Sequence, residues 1–492
     1  MIKKAVRWAA LPLTLMLALG TSAPAPSPYV QIEQLEQSRS LGNGRLADFL
    51  SSSDRLVALR AALAIGRTKK AGGAALLERR THDRDAAMRA ISVYGLGLIG
   101  GRSASSAVLR AFHDTSDTVL VSALDATDRL ETAHAFYRSQ ERKALARVTA
   151  LLHSNDAAVR ARAATTLGSF STAPQSAAAQ SALAKAFPGE QSAYVRWHIM
   201  WTLYRGYAKT APRNTLARGL KDRDEIVRIE AVRAFGRRGA ASALSLLRPL
   251  LDDSSWRVQE QARESIAVLQ GGKLTEHLTR IPDGVRTPAP QPDKLAYLPA
   301  LPRTAASGKP SAPQPEQIIT EPKLDPATVA LFTGPAKGAH PRVRIVTTEG
   351  NIYLELYPEW APLTVQNFLN VANSGYYDGN PWFRIVPDFV VQTGDPTGNG
   401  EGDAGYMIPA EENPLEQDSY VISMGMNYTN PPNAHAIRDS AGTQFYITLS
   451  PQLHLDRDFT VFGRVISGFD VLGRLVEKDK IVRVERLPDS KA

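Results

Sequence analysis

Between about residue 30 and residue 272 one four-point pattern returns seven times. Val57, Ala61, Ala64 and Ile65 set it: an apolar residue, then small or apolar residues four, seven and eight positions on. Val159, Ala163, Thr166 and Leu167 repeat it, as do Val195, Ile199, Thr202 and Leu203, then Val227, Ala231, Ala234 and Phe235, then Val258, Ala262, Ser265 and Ile266. Weaker copies start at Met88 and Val119. The spacing is that of one helix face. The seven starts, residues 57, 88, 119, 159, 195, 227 and 258, lie 31 to 40 residues apart. No other feature constrains the fold as tightly. A helix pair of that length cannot bury its own apolar face, so successive pairs must stack into a solenoid. An acid precedes most of these helices (Asp54, Asp85, Asp117, Asp156, Asp224, Asp253), where it can cap the free amides of the first turn. Gly66, Gly97, Gly168 and Gly236 fall where the helices are expected to end.

The segments Asp-Ala-Ala-Val-Arg-Ala-Arg-Ala-Ala (156–164) and Asp-Glu-Ile-Val-Arg-Ile-Glu-Ala-Val (224–232) resemble HEAT repeats of the short bacterial type. The resemblance implies a right-handed all-α solenoid over 30–272, a surface for partners rather than a catalyst. From 28 to 272 the chain carries 35 Lys and Arg against 23 Asp and Glu. Two readings follow: a solvated basic face with arginines pairing across repeats, or a basic surface for an anionic partner, whether acidic protein, anionic lipid or surface polysaccharide. Nucleic acid is not expected, because no aromatic-interleaved basic strand or helix-turn-helix is present.

The ends of the solenoid are marked by composition. Residues 1–23 open with Lys3, Lys4 and Arg7 and continue in an apolar run from Trp8 to Leu19, followed by small residues. The run is too short to span a bilayer comfortably and reads as a cleavable secretory signal, with cleavage after Gly20 satisfying the small-residue rule. The expected location is therefore secreted and periplasmic, with membrane contact at most peripheral. On the other side, 273–339 is rich in Pro, Ala and Ser and reads as a semi-stiff linker that lets two halves move separately. The chain has no cysteine, which excludes disulfides, thiol nucleophiles and cysteine metal sites.

From 340 to 487 the apolar period changes from that of a helix to two. Val343, Ile345 and Thr347, then Ile352, Leu354 and Leu356, alternate around Gly350 as a hairpin. A helix starting near Pro362 and five further short strands follow. Many short strands with few helices suggest a closed barrel. The run from Tyr376 to Pro396, which contains Trp382-Phe383-Arg384-Ile385-Val386-Pro387-Asp388-Phe389-Val390-Val391-Gln392, resembles the cyclophilins. Gly442-Thr443-Gln444-Phe445-Tyr446-Ile447, His454-Leu455-Asp456 and Val461-Phe462-Gly463-Arg464-Val465 resemble them too, in the family's order.

That resemblance implies an eight-stranded closed β-barrel with two helices and peptidyl-prolyl cis–trans isomerase activity (EC 5.2.1.8) on proline-containing polypeptide clients. It needs no cofactor and no metal. It implies Arg384 and Gln392 as the catalytic pair. Phe389, Val390, Gly425, Met426, Gln444, Tyr446, Leu455, His454 and Phe459 are implied as the substrate-binding residues. The sequence departs from the family at Phe383, His454, Phe459 and Met426, and by a longer stretch from Asn427 to Asp439 that is expected to rim the pocket. A non-catalytic scaffold or chaperone that binds proline peptides stays open as the alternative. Asp395-x-Thr397-x-Asn399-Gly400 imitates the start of a calcium loop, but Tyr406 stands where the closing acid belongs. From 340 to 492 there are 12 Lys and Arg against 20 Asp and Glu. An acidic barrel and a basic solenoid are thus joined by one linker, and docking of one on the other is expected to follow the charge.

Overall fold

A computed structural model describes residues 26–272, 340–428 and 436–487. The expected signal at 1–23 and the linker at 273–339 lie outside them. From Pro28 to Leu269 the elements are α-helices and short 3-10 turns. The repeat helices are Arg55–Thr68, Ala86–Ile99, Asp117–Thr132, Ala157–Thr166, Ala193–Tyr207, Glu225–Arg238 and Trp256–Leu269, and each packs on the next. Val57, Val159, Val195, Val227 and Val258 are all buried, as the periodicity requires. Asp54, Asp85, Asp156 and Asp224 cap their helices by accepting first-turn amides. Asp117 and Asp253 do not: the N-cap positions there are Ser116 and Ser255, and neither serine caps through its side chain.

The glycines have a different role from the one expected. Gly66, Gly97 and Gly236 lie inside the last helical turn rather than beyond it, and Gly168 lies in a 3-10 turn. They permit close helix approach. A Cβ on Gly66 would sit 2.6 Å from the Gly95 Cα, and one on Gly97 2.7 Å from the Ala126 Cα. Left-handed termination falls instead to Lys69 and Gly239.

The C-terminal part is one eight-stranded antiparallel sheet. Its strands are β1 (Arg342–Thr347), β2 (Gly350–Leu356), β3 (Arg384–Val386), β4 (Val390–Thr393), β5 (Val421–Met424), β6 (Phe445–Thr448), β7 (Val461–Ser467) and β8 (Ile481–Arg486). The spatial order is β3-β4-β6-β5-β7-β2-β1-β8. The outer ends approach one another through a bridge between Pro381 and Lys480, so the sheet curls into a barrel. Phe368, Tyr377, Phe445 and Phe462 meet edge-on or tilted inside it. The Pro362–Asn373 and Phe469–Leu472 helices are the two that accompany it.

The two parts are not independent bodies, contrary to the mobility expected from the linker. One face of the solenoid holds the barrel, and the arginines of that face supply the joint. Arg67 is fully buried and donates to the Glu36 carboxylate (3.0 Å), the Glu412 carbonyl (2.7 Å) and the Trp360 carbonyl (2.6 Å). Arg162 pairs with Glu416 at 2.8 Å, and the Tyr194 hydroxyl donates to the same carboxylate at 2.7 Å. Arg233 and Arg257 approach Asp388 at 3.2 and 3.5 Å. Arg457 returns the exchange from the barrel to Asp128. Tyr357, Trp360, Leu415 and Leu453 join the solenoid's own apolar core. The expected opposition of charge is thus realised as a set of buried, specific pairs.

His340, at the start of the barrel, meets Glu359 at 2.8 Å and Glu355 at 3.6 Å. Burial alone would lower its pKa, but the two carboxylates outweigh burial and raise it from 6.5 to about 9. The stability this gives is fully present below the unfolded value and lost as pH rises through about 9. A loss of ~1–2 kcal/mol is expected after allowing for solvent screening. Denaturant titrations on the two sides of that interval check it, and His340→Gln should flatten the difference.

Candidate active site

The site is built on the β3–β4 hairpin. Arg384 and Gln392 are register partners across it, so their side chains emerge on one face. The Arg384 Nη1 donates to the Gln392 Oε1 at 3.2 Å. The Gln392 Nε2 donates to the Gln444 Oε1 at 3.2 Å. The Gln444 Nε2 in turn donates to the Gly400 and Gly402 carbonyls at 2.9 and 3.1 Å. Each amide is therefore oriented by the next, and the chain ends on backbone that cannot rotate away. Only one edge of the guanidinium is held by this relay, and Arg384 stays exposed on the cavity. Desolvation lowers its pKa while the Tyr428 and Tyr446 hydroxyls oppose that shift. Gly425 lets the relay close, since a Cβ there would lie 3.1 Å from the Gln444 Cβ and 3.4 Å from the Gln392 Nε2.

Beside the relay lies an apolar floor separate from the barrel's core. Phe389, Val390, Tyr446, Leu455 and Phe459 form one buried cluster with Met426 packed against it. The Arg384 guanidinium carbon lies 5.3 Å from the Phe389 ring centroid. The cavity bounded by this floor and the relay has a volume of about 740 Å³. Of the residues read from sequence, Arg384, Gln392, Phe389, Val390, Gly425, Met426, Gln444, Tyr446, Leu455 and Phe459 all line it. His454 is not among the lining residues; its ring stacks 5.8 Å from that of Phe389.

Beyond the residues read from sequence as the site, Phe383, Asn399, Gly400, Glu401, Asn427 and Tyr428 also line the cavity. Tyr428 sits in the long stretch after β5, lines the cavity and lies 6.1 Å from the Phe459 ring. The length of that stretch marked it as a rim, but which residue turns inward had no signal. Asn399, Gly400 and Glu401 line the opposite side. Their loop imitates the start of a calcium motif in sequence, and Asp395 explains its shape. That carboxylate accepts from the amides of Thr397 (2.7 Å), Asn399 (3.0 Å) and Gly400 (2.6 Å), which aims the loop carbonyls at Gln444.

The hairpin tip is held from outside the barrel. Asp388 adopts a left-handed conformation (φ 57°) immediately before Phe389. Its carboxylate is buried against Arg233 and Arg257 of the solenoid, and its carbonyl accepts from Ser450 and Gln452. The residue that sets the direction of Phe389 is therefore gripped by both halves of the chain.

Residues 342–488 match the family described as cyclophilin type peptidyl-prolyl cis-trans isomerase/CLD, and residues 181–267 match HEAT repeats. Over 142 residues the chain is 44% identical to peptidyl-prolyl cis-trans isomerase B of Bacillus subtilis, across 28% of this chain and 93% of that protein. It is 41% identical over 133 residues to peptidyl-prolyl cis-trans isomerase ppi1 of Schizosaccharomyces pombe, covering 27% of this chain and 83% of that one. It is 40% identical over 135 residues to peptidyl-prolyl cis-trans isomerase-like 1 of Homo sapiens, covering 27% and 79%.

Proposed function

Because this chain belongs to the cyclophilin-type peptidyl-prolyl cis–trans isomerases and carries their activity in its C-terminal domain, we propose that it assists the folding of secreted or periplasmic proteins, with the HEAT solenoid adding client or partner binding. The observation that carries the catalytic part is the unbroken relay from Arg384 through Gln392 to Gln444 beside an apolar floor.

The chemistry follows from those residues. Resonance across an X–Pro amide sets a rotational barrier of about 20 kcal/mol, and uncatalysed exchange takes tens of seconds. The floor of Phe389, Leu455 and Phe459 suits a pyrrolidine ring, an apolar group without a donor. With the ring seated there, the Arg384 guanidinium, 5.3 Å from the Phe389 ring centroid, is the donor this reading assigns to the prolyl nitrogen. As the bond twists, that nitrogen recovers its lone pair and becomes an acceptor, which it is not in the planar amide. A donor held in place beforehand therefore strengthens its hydrogen bond only on the way to the twisted state. Arginine suits this because it stays charged and offers several donors in a rigid fork.

The export reading rests on the basic-then-apolar pattern of residues 1–23. Among the described residues no helix is long and apolar enough to cross a membrane. The solenoid reading rests on the kind of surface that stacked repeats offer. Expression of the full chain in a Gram-negative host tests location. The expected product is a periplasmic protein whose mass corresponds to cleavage near Gly20; an unprocessed chain retained in the cytosol would overturn it. Refolding of a secreted protein limited by one cis-proline tests the folding role. Sub-stoichiometric enzyme should shorten the slow phase about tenfold or more, and an unchanged phase would refute it.

A further inference from the structure

The solenoid reaches the active site at the tip of the β3–β4 hairpin. Val386, Pro387, Asp388 and Phe389 make a tight turn there, closed by the Phe389 amide donating to the Val386 carbonyl at 3.0 Å. Asp388 is the third residue of the turn, with φ 57°. A positive φ at that place favours glycine, and a residue with a side chain persists there where its surroundings over-determine it. An aspartate usually meets the strain by bonding to backbone nearby. Here the carboxylate accepts from Arg233 of the solenoid instead. Two guanidiniums face it, one to each oxygen: the Arg233 Nη2 lies 3.2 Å from Oδ2 and the Arg257 Nε 3.5 Å from Oδ1. Only 2% of the Asp388 side chain is exposed, so water does not compete for it.

The two arginines are fixed by groups of their own half. Arg233, in the Glu225–Arg238 helix, donates to Glu230 of that helix at 2.8 Å. It also donates to Gln261 of the next repeat helix at 2.9 Å. Arg257 reaches Glu225 at 3.4 Å. Repeat stacking therefore sets this socket, and the barrel contributes the one carboxylate that enters it. The next residue in the chain is Phe389, whose carbonyl accepts from the Leu449 amide at 2.7 Å and whose ring lies under the Arg384 guanidinium. A tip released from the socket would move the proline floor. The relay from Arg384 through Gln392 to Gln444 starts on the strands, away from the tip, and does not run through Asp388.

We propose that Arg233 and Arg257 are positioning residues of the isomerase: by fixing the Asp388 carboxylate they hold Phe389 where the proline ring seats, so the docked solenoid sets the barrel's affinity for its client. The proposal rests on the isomerase reading of the cavity. It gives the solenoid a part in the reaction besides the capture of clients or partners. Its effect falls on substrate binding more than on the rotation step.

Asp388→Asn in the full chain is the gentlest test. It removes the charge, while Arg233 keeps Glu230 and Arg257 keeps Glu225, and asparagine tolerates the left-handed turn. Saturation kinetics with an Ala-Pro peptide, followed by exchange NMR, should show KM raised about five- to tenfold and kcat within about twofold, the mark of lost uniform binding. Arg233→Gln combined with Arg257→Gln should do the same. Arg233→Lys combined with Arg257→Lys should recover most of the loss, because each arginine offers Asp388 a single nitrogen. The Phe389 ring signals should shift in the Asn and Gln variants, with the amides around Trp360 and Leu415 as protected from exchange as in wild type. A role in stability alone would reduce the active fraction, and so kcat, at unchanged KM. A folded Asp388→Asn chain with the KM and Phe389 signals of wild type would overturn the proposal. So would a loss confined to kcat, or a rise in KM found only where the protection at Trp360 and Leu415 is lost. Should the paired glutamine variant not fold, Asp388→Asn decides alone. A wild type that accelerates nothing would fail the isomerase reading instead, and titrated peptide affinity of the same variants would still decide the positioning.

Discussion

Arg384→Ala is expected to lower kcat/KM for Ala–Pro peptides by about 10²–10³-fold, the usual cost of removing one preorganised donor from a developing acceptor. The fold should not change, because Arg384 is exposed and its one relay bond is to Gln392, which keeps its own bond to Gln444. Arg384→Lys should recover little. A lysine keeps the charge but has no planar fork, so it cannot hold Gln392 with one edge and offer another to the prolyl nitrogen. Gln392→Ala should fall between Arg384→Ala and wild type, since it releases the guanidinium without deleting it. Exchange NMR on the three variants beside wild type measures all of this. An Arg384→Ala enzyme within a fewfold of wild type would show that the pocket accelerates rotation by another route. The non-catalytic alternative makes the opposite forecast: no acceleration by wild type, and proline-peptide binding that survives Arg384→Ala.

Local patterns carried most of what the sequence disclosed. The seven repeat helices were readable because the buried face recurs at 3.6-residue spacing, and four of the six acid caps because capping is decided within three residues. The barrel's site was readable because its relay residues sit in short contiguous words. The glycines were misassigned because local rules see a helix end where the structure uses a close crossing, and the crossing partner of Gly66 is Gly95 on the next repeat. Tyr428 was missed because the direction of a rim residue depends on what it meets, here Phe459. The docking was foreshadowed only as a sum of charges. That sum could not say that Glu411, Glu412 and Glu416 lie on one strip of the barrel. Nor could it say that Arg67, Arg129 and Arg162 line the solenoid face that receives them. Contacts between residues more than 250 positions apart leave no periodic trace.

Removing the centre of that joint should have the largest effect on stability. Arg67 reaches across the interface into two barrel carbonyls while closing on Glu36, whose other partner is Arg60 at 2.5 Å. Glu33, Glu36 and Glu411 converge there without exposure. Burial would raise Glu36, but Arg60 and Arg67 outweigh it and hold it near 2. Burial pushes Glu33 up, with Glu36 and Glu411 adding to the shift against Arg60. Glu411 is spent on the amides of Leu363 and Thr364. Arg60 and Arg67 already pair with Glu33 and Glu36, which makes the cluster a structural joint. Arg67→Ala would leave the carboxylates one cation short and the Glu412 and Trp360 carbonyls without that donor. A cost of about 3–5 kcal/mol is expected, as for breaking one side of a buried pair. The loss should fall on docking: the radius of gyration from small-angle scattering should increase, and amides around Trp360 and Leu415 should exchange faster. Wild type should stay compact across salt concentrations, because pairs buried this deeply are screened far less than surface charges. An Arg67→Ala protein as compact and as protected as wild type would mean that the apolar contacts of Tyr357, Trp360 and Leu415 hold the halves together alone.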